Sequence, residues 1–171
     1  VVGVITAFNF PNAVWGWNAI IATTCGDVVV WKPSMVTPLL SIATNRIADG
    51  VASSMGNEGV FNLLIGTDEE IGERMTGDRR LPLISATGSC RMGREVGARV
   101  QGRLGKCLLE LGGNNAVIVH DDADQELALR AVVFGSVGTA GQRCTTSRRL
   151  IIHENIADAF VERLKSSYEQ V

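Results

Sequence analysis

What the chain lacks narrows it quickly. No apolar run reaches membrane-spanning length, because Asn18 and Asp27 interrupt the best candidate, and a span needs about 20 such residues. No block of like charge occurs. With 16 Lys+Arg against 18 Asp+Glu the net charge is −2, so the electrostatic footprint of a nucleic-acid binder is missing. The opening segment VVGVITAF has neither a basic leader nor a cleavage site, and it reads as a buried strand rather than a secretory signal. The four cysteines form no CxxC pair and lie far in sequence from His120 and His153, so no metal site is expected. Free thiols in an intracellular protein, cytoplasmic or mitochondrial, are the simpler expectation. Internal repeats, low-complexity stretches and Pro/Ser linkers are also missing. The chain opens directly in a strand with no Met and closes on a helical stretch, which leads to the expectation of an internal piece of a longer protein.

What is present is alternation. Strand-like, β-branched runs are expected at 2–7, 28–31, 60–65, 81–85, 107–111, 116–119 and 149–153, with amphipathic stretches between most of them. Thr37-Pro38 marks a helix start, with Thr as cap and Pro in the first turn. Leu39, Ile42, Ala43 and Ile47 then recur on one helical face. Thr67 and Glu70 have capping-box spacing. A last helix starts near Asn155 and carries Ile156, Phe160, Leu164 and Tyr168 at four-residue intervals. This pattern predicts an α/β protein, a parallel sheet with helices on both faces, whose ligands bind at the carboxyl ends of the strands. A break between Glu110 and Asn115, at GGNN, suits a chain crossing between two domains, 1–111 and 112–171.

Five segments could carry chemistry. FNFPN (Phe8 to Asn12) ends a strand, where an Asn amide can donate to a developing oxyanion; a plain turn residue is the simpler alternative. Lys32 closes an apolar strand just before a helix, where cofactor hydroxyls or phosphates can be met; a solvated lysine is the alternative. TGSCRMG (Thr87 to Gly93) runs from a strand into a helix start, a place that suits phosphate. Its GxxxxG spacing is neither a GxGxxG fingerprint nor a Walker loop, and a tight turn would explain it equally. Glu110 stands between Leu109 and Leu111. Burial there would raise its pKa and suit a general base, or it could be tied into an ion pair. Cys144, in GTAGQRCTTSRR, follows a Gly-rich bend and Arg143. A guanidinium nearby favours the nucleophilic thiolate. Cys25 and Cys107 fit the role of small buried cysteines better.

Taken in order, FNFP, WKPS, the GS turn, LELGGNN and GQRC resemble the aldehyde dehydrogenase superfamily along essentially the whole chain. In that family the base glutamate precedes the nucleophile by 34 residues, and here 144 − 110 is 34. LELGGNNA and GTAGQRCTTSRRL are similar to the antiquitin-like branch, the α-aminoadipic semialdehyde dehydrogenases of family 7.

The resemblance implies an aldehyde dehydrogenase fold with a partial NAD(P)-binding domain at 1–111 and the start of a catalytic domain at 112–171. It implies oxidation of a small-molecule aldehyde, a semialdehyde bearing a carboxylate, through a cysteine thiohemiacetal and thioester. Cys144 would be the nucleophile, Glu110 the base for water, and Asn9 an oxyanion donor together with the Cys144 backbone N–H. Lys32 would bind the adenosine ribose and Ser89 the pyrophosphate. Gly88 and Gly93 would let the backbone approach, Gly112 and Gly113 would line the nicotinamide side, and Phe8 and Pro11 would belong to the cofactor site. Arg143 would hold the distal carboxylate of the substrate. Met35 stands where the family usually has a ribose-binding Glu, which leaves both NAD and NADP open. Cys90 and Ala86 depart from the Thr and Phe of many relatives. The parent would be a homo-oligomer, dimer or tetramer. Alternatives are a cofactor-independent thiol esterase and a non-catalytic chain retaining the fold. The isolated chain is expected to be inactive and poorly soluble.

Overall fold

The computed structural model describes all residues, 1–171, and the chain divides into two compact units, Val1–Leu111 and Gly112–Val171. The first contains β1 (Val2–Ile5), α1 (Ala13–Thr24), β2 (Val29–Lys32), α2 (Pro38–Ser54), β3 (Phe61–Leu63), α3 (Glu73–Gly77), β4 (Leu83–Gly88), α4 (Cys90–Gly102) and β5 (Lys106–Leu111). Its five strands are all parallel, in the order β3-β2-β1-β4-β5. Parallel neighbours need crossovers, and the intervening helices supply them.

Alternation along the strands sends residues to opposite faces. Val2, Val4, Val29 and Trp31 pack with Trp15 and Ala19 of α1 on one face. Ile5, Ile84 and Ala86 pack with Met75, Val96 and Val100 of α3 and α4 on the other. Both faces are therefore covered, as the uninterrupted apolar composition of central parallel strands requires. Trp31 is fully buried, and its indole N–H donates to Thr6 Oγ1 at 2.8 Å, which satisfies the group in the interior.

The second unit contains β6 (Asn115–Val119), α5 (Gln125–Val137), β7 (Ser147–Ile152) and α6 (Ala157–Tyr168). β6 and β7 pair in parallel, and Val119, Val132 and Phe160 form its buried centre. Asp124 caps α5 by accepting from the N–H groups of Glu126 and Leu127.

All seven expected strands form. Thr67 and Glu70 make the reciprocal capping box, through Thr67 Oγ1 accepting from Glu70 N at 3.2 Å and Glu70 Oε2 accepting from Thr67 N at 3.3 Å. It opens a single wide turn, Asp68–Gly72, that leads into α3. Ile156, Phe160 and Leu164 pack inward as their spacing predicts, whereas Tyr168 stays exposed.

α2 starts at Thr37-Pro38 as expected, with Thr37 at the cap position and Pro38 in the first turn, but the Thr37 hydroxyl makes no capping bond and is buried without a partner. The stripe of Leu39, Ile42, Ala43 and Ile47 does not face the sheet: Leu39 is 81 % and Ile47 70 % exposed. The helix turns Ser41, Ala48 and Ala52 inward instead. Those positions lie on one side of a 3.6-residue repeat, roughly opposite Leu39, Ala43 and Ile47. Small side chains let α2 approach the strands closely.

Candidate active site

In the first unit, the site candidates collect at one edge. Because all five strands run the same way, their carboxyl ends lie together. The register places Ile5 beside Lys32 and Ala86, Thr87 beside Glu110, and Gly88 beside Leu111. Asn9, with Phe8 and Pro11, follows the end of β1. Lys32 is the last residue of β2, and Gly88 the last of β4. The strand order reverses between β1 and β4, the crevice where open parallel sheets take ligands.

Lys32 is not the solvated lysine that was its alternative. Its side chain is 3 % exposed, and Nζ lies 2.7 Å from Asp68 Oδ1, so the ammonium is held by a carboxylate at the start of the turn before α3. The remaining proton-donating positions of the ammonium include one aimed at Pro33 O, at 3.4 Å. Met35 lies in the loop that follows and is exposed.

The turn from β4 to α4 is built by Ser89, whose Oγ accepts from Met92 N at 3.1 Å and so caps the helix. A Cβ at Gly88 would stand 2.5 Å from Met92 Cε, so only glycine fits there without displacing that side chain. Gly93 serves packing. A Cβ there would come within 2.5 Å of Leu111 Cδ2, so the missing side chain is what seats α4 against β5. Thr87 Oγ1, one residue before the turn, is buried with no hydrogen-bond partner. An orphaned hydroxyl beside a helix N-terminus suits an oxygen-rich anionic ligand, which both the hydroxyl and the helix dipole would satisfy.

Glu110 differs from expectation. β5 is an edge strand and its side chains alternate between exposed and half-buried, with Glu110 exposed. The desolvation expected from its apolar neighbours is therefore absent: Leu109 turns to the helical face and Glu110 away from it. Cys25 is likewise exposed rather than buried. Cys107 fits its expected role, as partial burial pushes its thiol above the ordinary value.

In the second unit, the chain leaves α5 through a tight bend, Gly138–Gly141. Thr139, Ala140 and Gly141 are all left-handed, with φ of 56°, 51° and 68°. Two successive non-glycine residues in that region store strain. Cys144 follows, with an exposed thiol. What is fixed is the backbone around it. Asn115 Nδ2, at the start of β6, donates to Cys144 O at 2.7 Å and to Thr146 O at 3.2 Å. Buried Thr146 accepts from Arg143 N through Oγ1 at 3.0 Å. Arg148 donates to Gly113 O, and Arg149 to Asn114 O. These bonds tie the GGNN segment, including Gly113, to the loop and β7. Gly112 is exposed, and a Cβ there would meet nothing within 4 Å.

Arg143 does not reach out freely. Its Nε donates to Thr139 Oγ1 at 2.9 Å, and its guanidinium carbon lies 5.1 Å from the centre of the Phe134 ring, within cation–π range. Asn115, Thr146 and Phe134 were missed from sequence. Asn115 acts across 29 residues of chain and Phe134 across nine, whereas Thr146 acts within its own turn, three residues from Arg143, and only the polar Asn at a strand entry hinted at a role.

The 3-2-1-4-5 parallel order, with polar groups and a glycine turn at the carboxyl edge, defines a Rossmann-like domain of the dinucleotide-binding type. The second unit adds an exposed cysteine on a clamped loop. The particular family follows from comparison: the chain belongs to the aldehyde dehydrogenase family, whose model matches residues 1–171. It is 54 % identical over 172 residues to aldehyde dehydrogenase family 7 member B4 of Arabidopsis thaliana, covering 100 % of this chain and 34 % of that protein. To the alpha-aminoadipic semialdehyde dehydrogenase of Bos taurus it is 48 % identical over 170 residues, covering 99 % and 32 %. Among solved structures, an NAD-dependent aldehyde dehydrogenase from Sinorhizobium meliloti superposes with a TM-score of 0.93 at 34 % identity, covering 99 % and 33 %. Betaine aldehyde dehydrogenase of Staphylococcus aureus, solved with NAD+, gives 0.93 at 32 % identity, again covering 99 % and 33 %. The chain thus spans about a third of the length of these relatives. No helix is long and apolar enough to cross a membrane.

Proposed function

We propose that the protein oxidises an aldehyde to a carboxylic acid with NAD(P)+, with Cys144 as nucleophile. The observation that carries this is an exposed thiol on a loop whose backbone is clamped by Asn115 and Thr146. A nucleophile needs access to substrate together with a fixed approach. The Cys144 thiolate attacks the carbonyl carbon and forms a thiohemiacetal. The amide of Asn9 and the backbone N–H of Cys144 hold the oxygen while it bears charge. NAD(P)+, when bound, supplies the hydride acceptor. A thioester then remains on Cys144. Glu110, exposed and so able to meet water, takes a proton as the water attacks, and the acid leaves with the thiolate restored.

The cofactor would lie along the carboxyl edge of the five-stranded sheet. Lys32 would meet its ribose, and Ser89 and the start of α4, with Gly88, its pyrophosphate. Thr87 Oγ1 is an unused donor at the same place. Phe8, Pro11 and Gly112 would complete the surround. Domain roles follow: residues 1–111 bind the cofactor and 112–171 begin the catalytic domain. The protein works as a homo-oligomer. In the full-length protein, Cys144→Ala should abolish NADH formation on any aldehyde, with melting temperature unchanged because the thiol is exposed. Turnover retained by that variant would refute the assignment.

The substrate we propose is a semialdehyde with a distant carboxylate, as the name of the bovine relative suggests. Arg143 supports it. With Nε spent on Thr139, the two terminal nitrogens can take a carboxylate in a fork. Arg143→Ala should lower kcat/KM for aminoadipic semialdehyde by about tenfold or more, one lost charge-assisted bond pair, and leave propanal oxidation little changed. Equal losses on both would make Arg143 a loop residue only.

A further inference from the structure

The parallel pairing of β6 and β7 brings together residues that sequence spacing keeps 33 apart. Val119 pairs with Ile152, so His120 and His153 leave the sheet side by side at its carboxyl end. Their rings meet edge to face with centroids 4.8 Å apart. Asp121 lies against both: Oδ1 is 2.8 Å from His120 Nδ1, and Oδ2 is 3.8 Å from His153 Nδ1. One ligand atom from each of the three residues lies within 4.8 Å of the others.

We propose that His120, Asp121 and His153 form a binding site for a divalent transition metal of the zinc type, structural in role and separate from the residues put forward for catalysis. A simple His–Asp pair would need one imidazole. Here two imidazoles turn the same nitrogen, Nδ1, toward one carboxylate, so a single ion between them could bond to all three. Two nitrogens and one oxygen suit Zn2+, Co2+, Ni2+ or Cu2+, while Mg2+ and Ca2+ prefer oxygen alone. Bond lengths of about 2.0–2.2 Å put tetrahedral ligand atoms about 3.3–3.5 Å apart. The widest separation must therefore close by roughly an ångström while the 2.8 Å His120–Asp121 pair opens slightly, both within the reach of side-chain rotation.

Two neighbours support the set. Asn155 Nδ2 donates to Asp121 Oδ2 at 3.3 Å, the kind of outer contact that orients a ligating carboxylate. Asp122 Oδ1 lies 3.0 Å from His120 Nδ1 and could supply a fourth ligand in place of water. Ligation would replace two contacts: His153 Nδ1 accepts from Asn155 N at 3.3 Å, and His120 Nδ1 is hydrogen-bonded with Asp122 Oδ1 at 3.0 Å. His120 is 64 % exposed and His153 30 %, so an ion can enter from solvent without unfolding. It would join the free ends of a two-stranded sheet, the least supported sheet in the molecule.

The test uses the purified protein with its thiols alkylated, so that cysteine cannot capture the ion. Titration with Zn2+ should show one equivalent bound and a rise in melting temperature; Co2+ should develop visible d–d absorption, and Mg2+ should do nothing. His120→Ala and His153→Asn should each weaken Zn2+ binding by about tenfold or more and together abolish the cobalt spectrum. Asn at 153 keeps a side-chain acceptor for the turn it caps, and circular dichroism confirms that the fold is retained. Absence of Zn2+ uptake at about 100 µM, or unchanged affinity in the double variant, would overturn the proposal.

Discussion

The two units hold their polar groups in opposite ways. In the first, the group itself is buried. Lys32 is enclosed between strand and turn, with its charge met by Asp68, and Trp31 with Thr6 forms a satisfied pair under the helices. A five-stranded sheet with an apolar cluster on each face can bear such burial. In the second unit the thiol of Cys144 is open to solvent, and the side chains around it hold the backbone instead. A two-stranded sheet with three buried apolar residues has no interior deep enough to enclose the thiol, and the loop is fixed by hydrogen bonds across its entry. One unit presents a polar carboxyl edge; the other presents an exposed cysteine, the proposed nucleophile, on a loop held by a few polar contacts.

If that contrast is right, the second unit should be the easier to unfold alone. Phe160 has no exposed surface and anchors its only cluster. Phe160→Ala should cost about 3–5 kcal/mol, comparable to the total stability of many small domains. Hydrogen exchange would then show protection lost in residues 112–171 and kept in β1 and β4. Ile84→Ala, of similar size in the first unit, should leave the second protected. Equal loss of protection throughout in both variants would break the comparison, since the units would then fold as one.

The clamp on the Cys144 loop gives the next effect in size. Asn115→Ala removes the bonds to Cys144 O and Thr146 O. Stability should fall by only about 1 kcal/mol, because water can replace the donor at an exposed loop. Activity should fall further, by about 10- to 100-fold in kcat, because misplacing a nucleophile by an ångström is expensive. Alkylation of Cys144 by iodoacetamide should continue, as exposure does not depend on the clamp. An unchanged kcat would mean that the loop holds its shape by its left-handed residues alone.

How far the sequence shows these things depends on the range of the interaction. The strands are legible because β-branched runs mark them locally, and the Ser89 turn is legible because a capping residue and its helix are adjacent. The direction in which a face points is not local. The apolar stripe of α2 was visible, yet the sheet contacts fall on Ser41, Ala48 and Ala52, because closeness favours small residues over apolar ones. Glu110 has the flanking leucines of a buried strand residue, but burial depends on whether β5 lies at an edge, which the order of strands decides and no residue in LLELGG announces. Asn115 and the His120–Asp121–His153 group depend on which strands pair, and neither carries a motif.

The smallest expected effect tests the first unit on its surface rather than in its core. At the turn between α3 and β4, Arg80 Nη2 lies 2.7 Å from Asp78 Oδ2, and Arg80 N donates to Asp78 Oδ1 at 2.9 Å. The Arg80 side chain, then its backbone N–H, hold the Asp78 carboxyl at about 2, below the ordinary 3.8. A depressed carboxyl stabilises the fold above its unfolded value, and the benefit disappears as pH falls through the folded one. The contribution should therefore be complete above pH 4 and lost between about 4 and 2. It should be slight, because Arg80 is 89 % exposed and surface pairs are screened. Titration of the Asp78 carboxyl followed by NMR should place its midpoint near 2, and Arg80→Ala should return it toward 3.8 with little change in melting temperature at pH 7. A large loss of stability in Arg80→Ala would show that the first unit, too, leans on exposed polar contacts, and the contrast between the units would have to be redrawn.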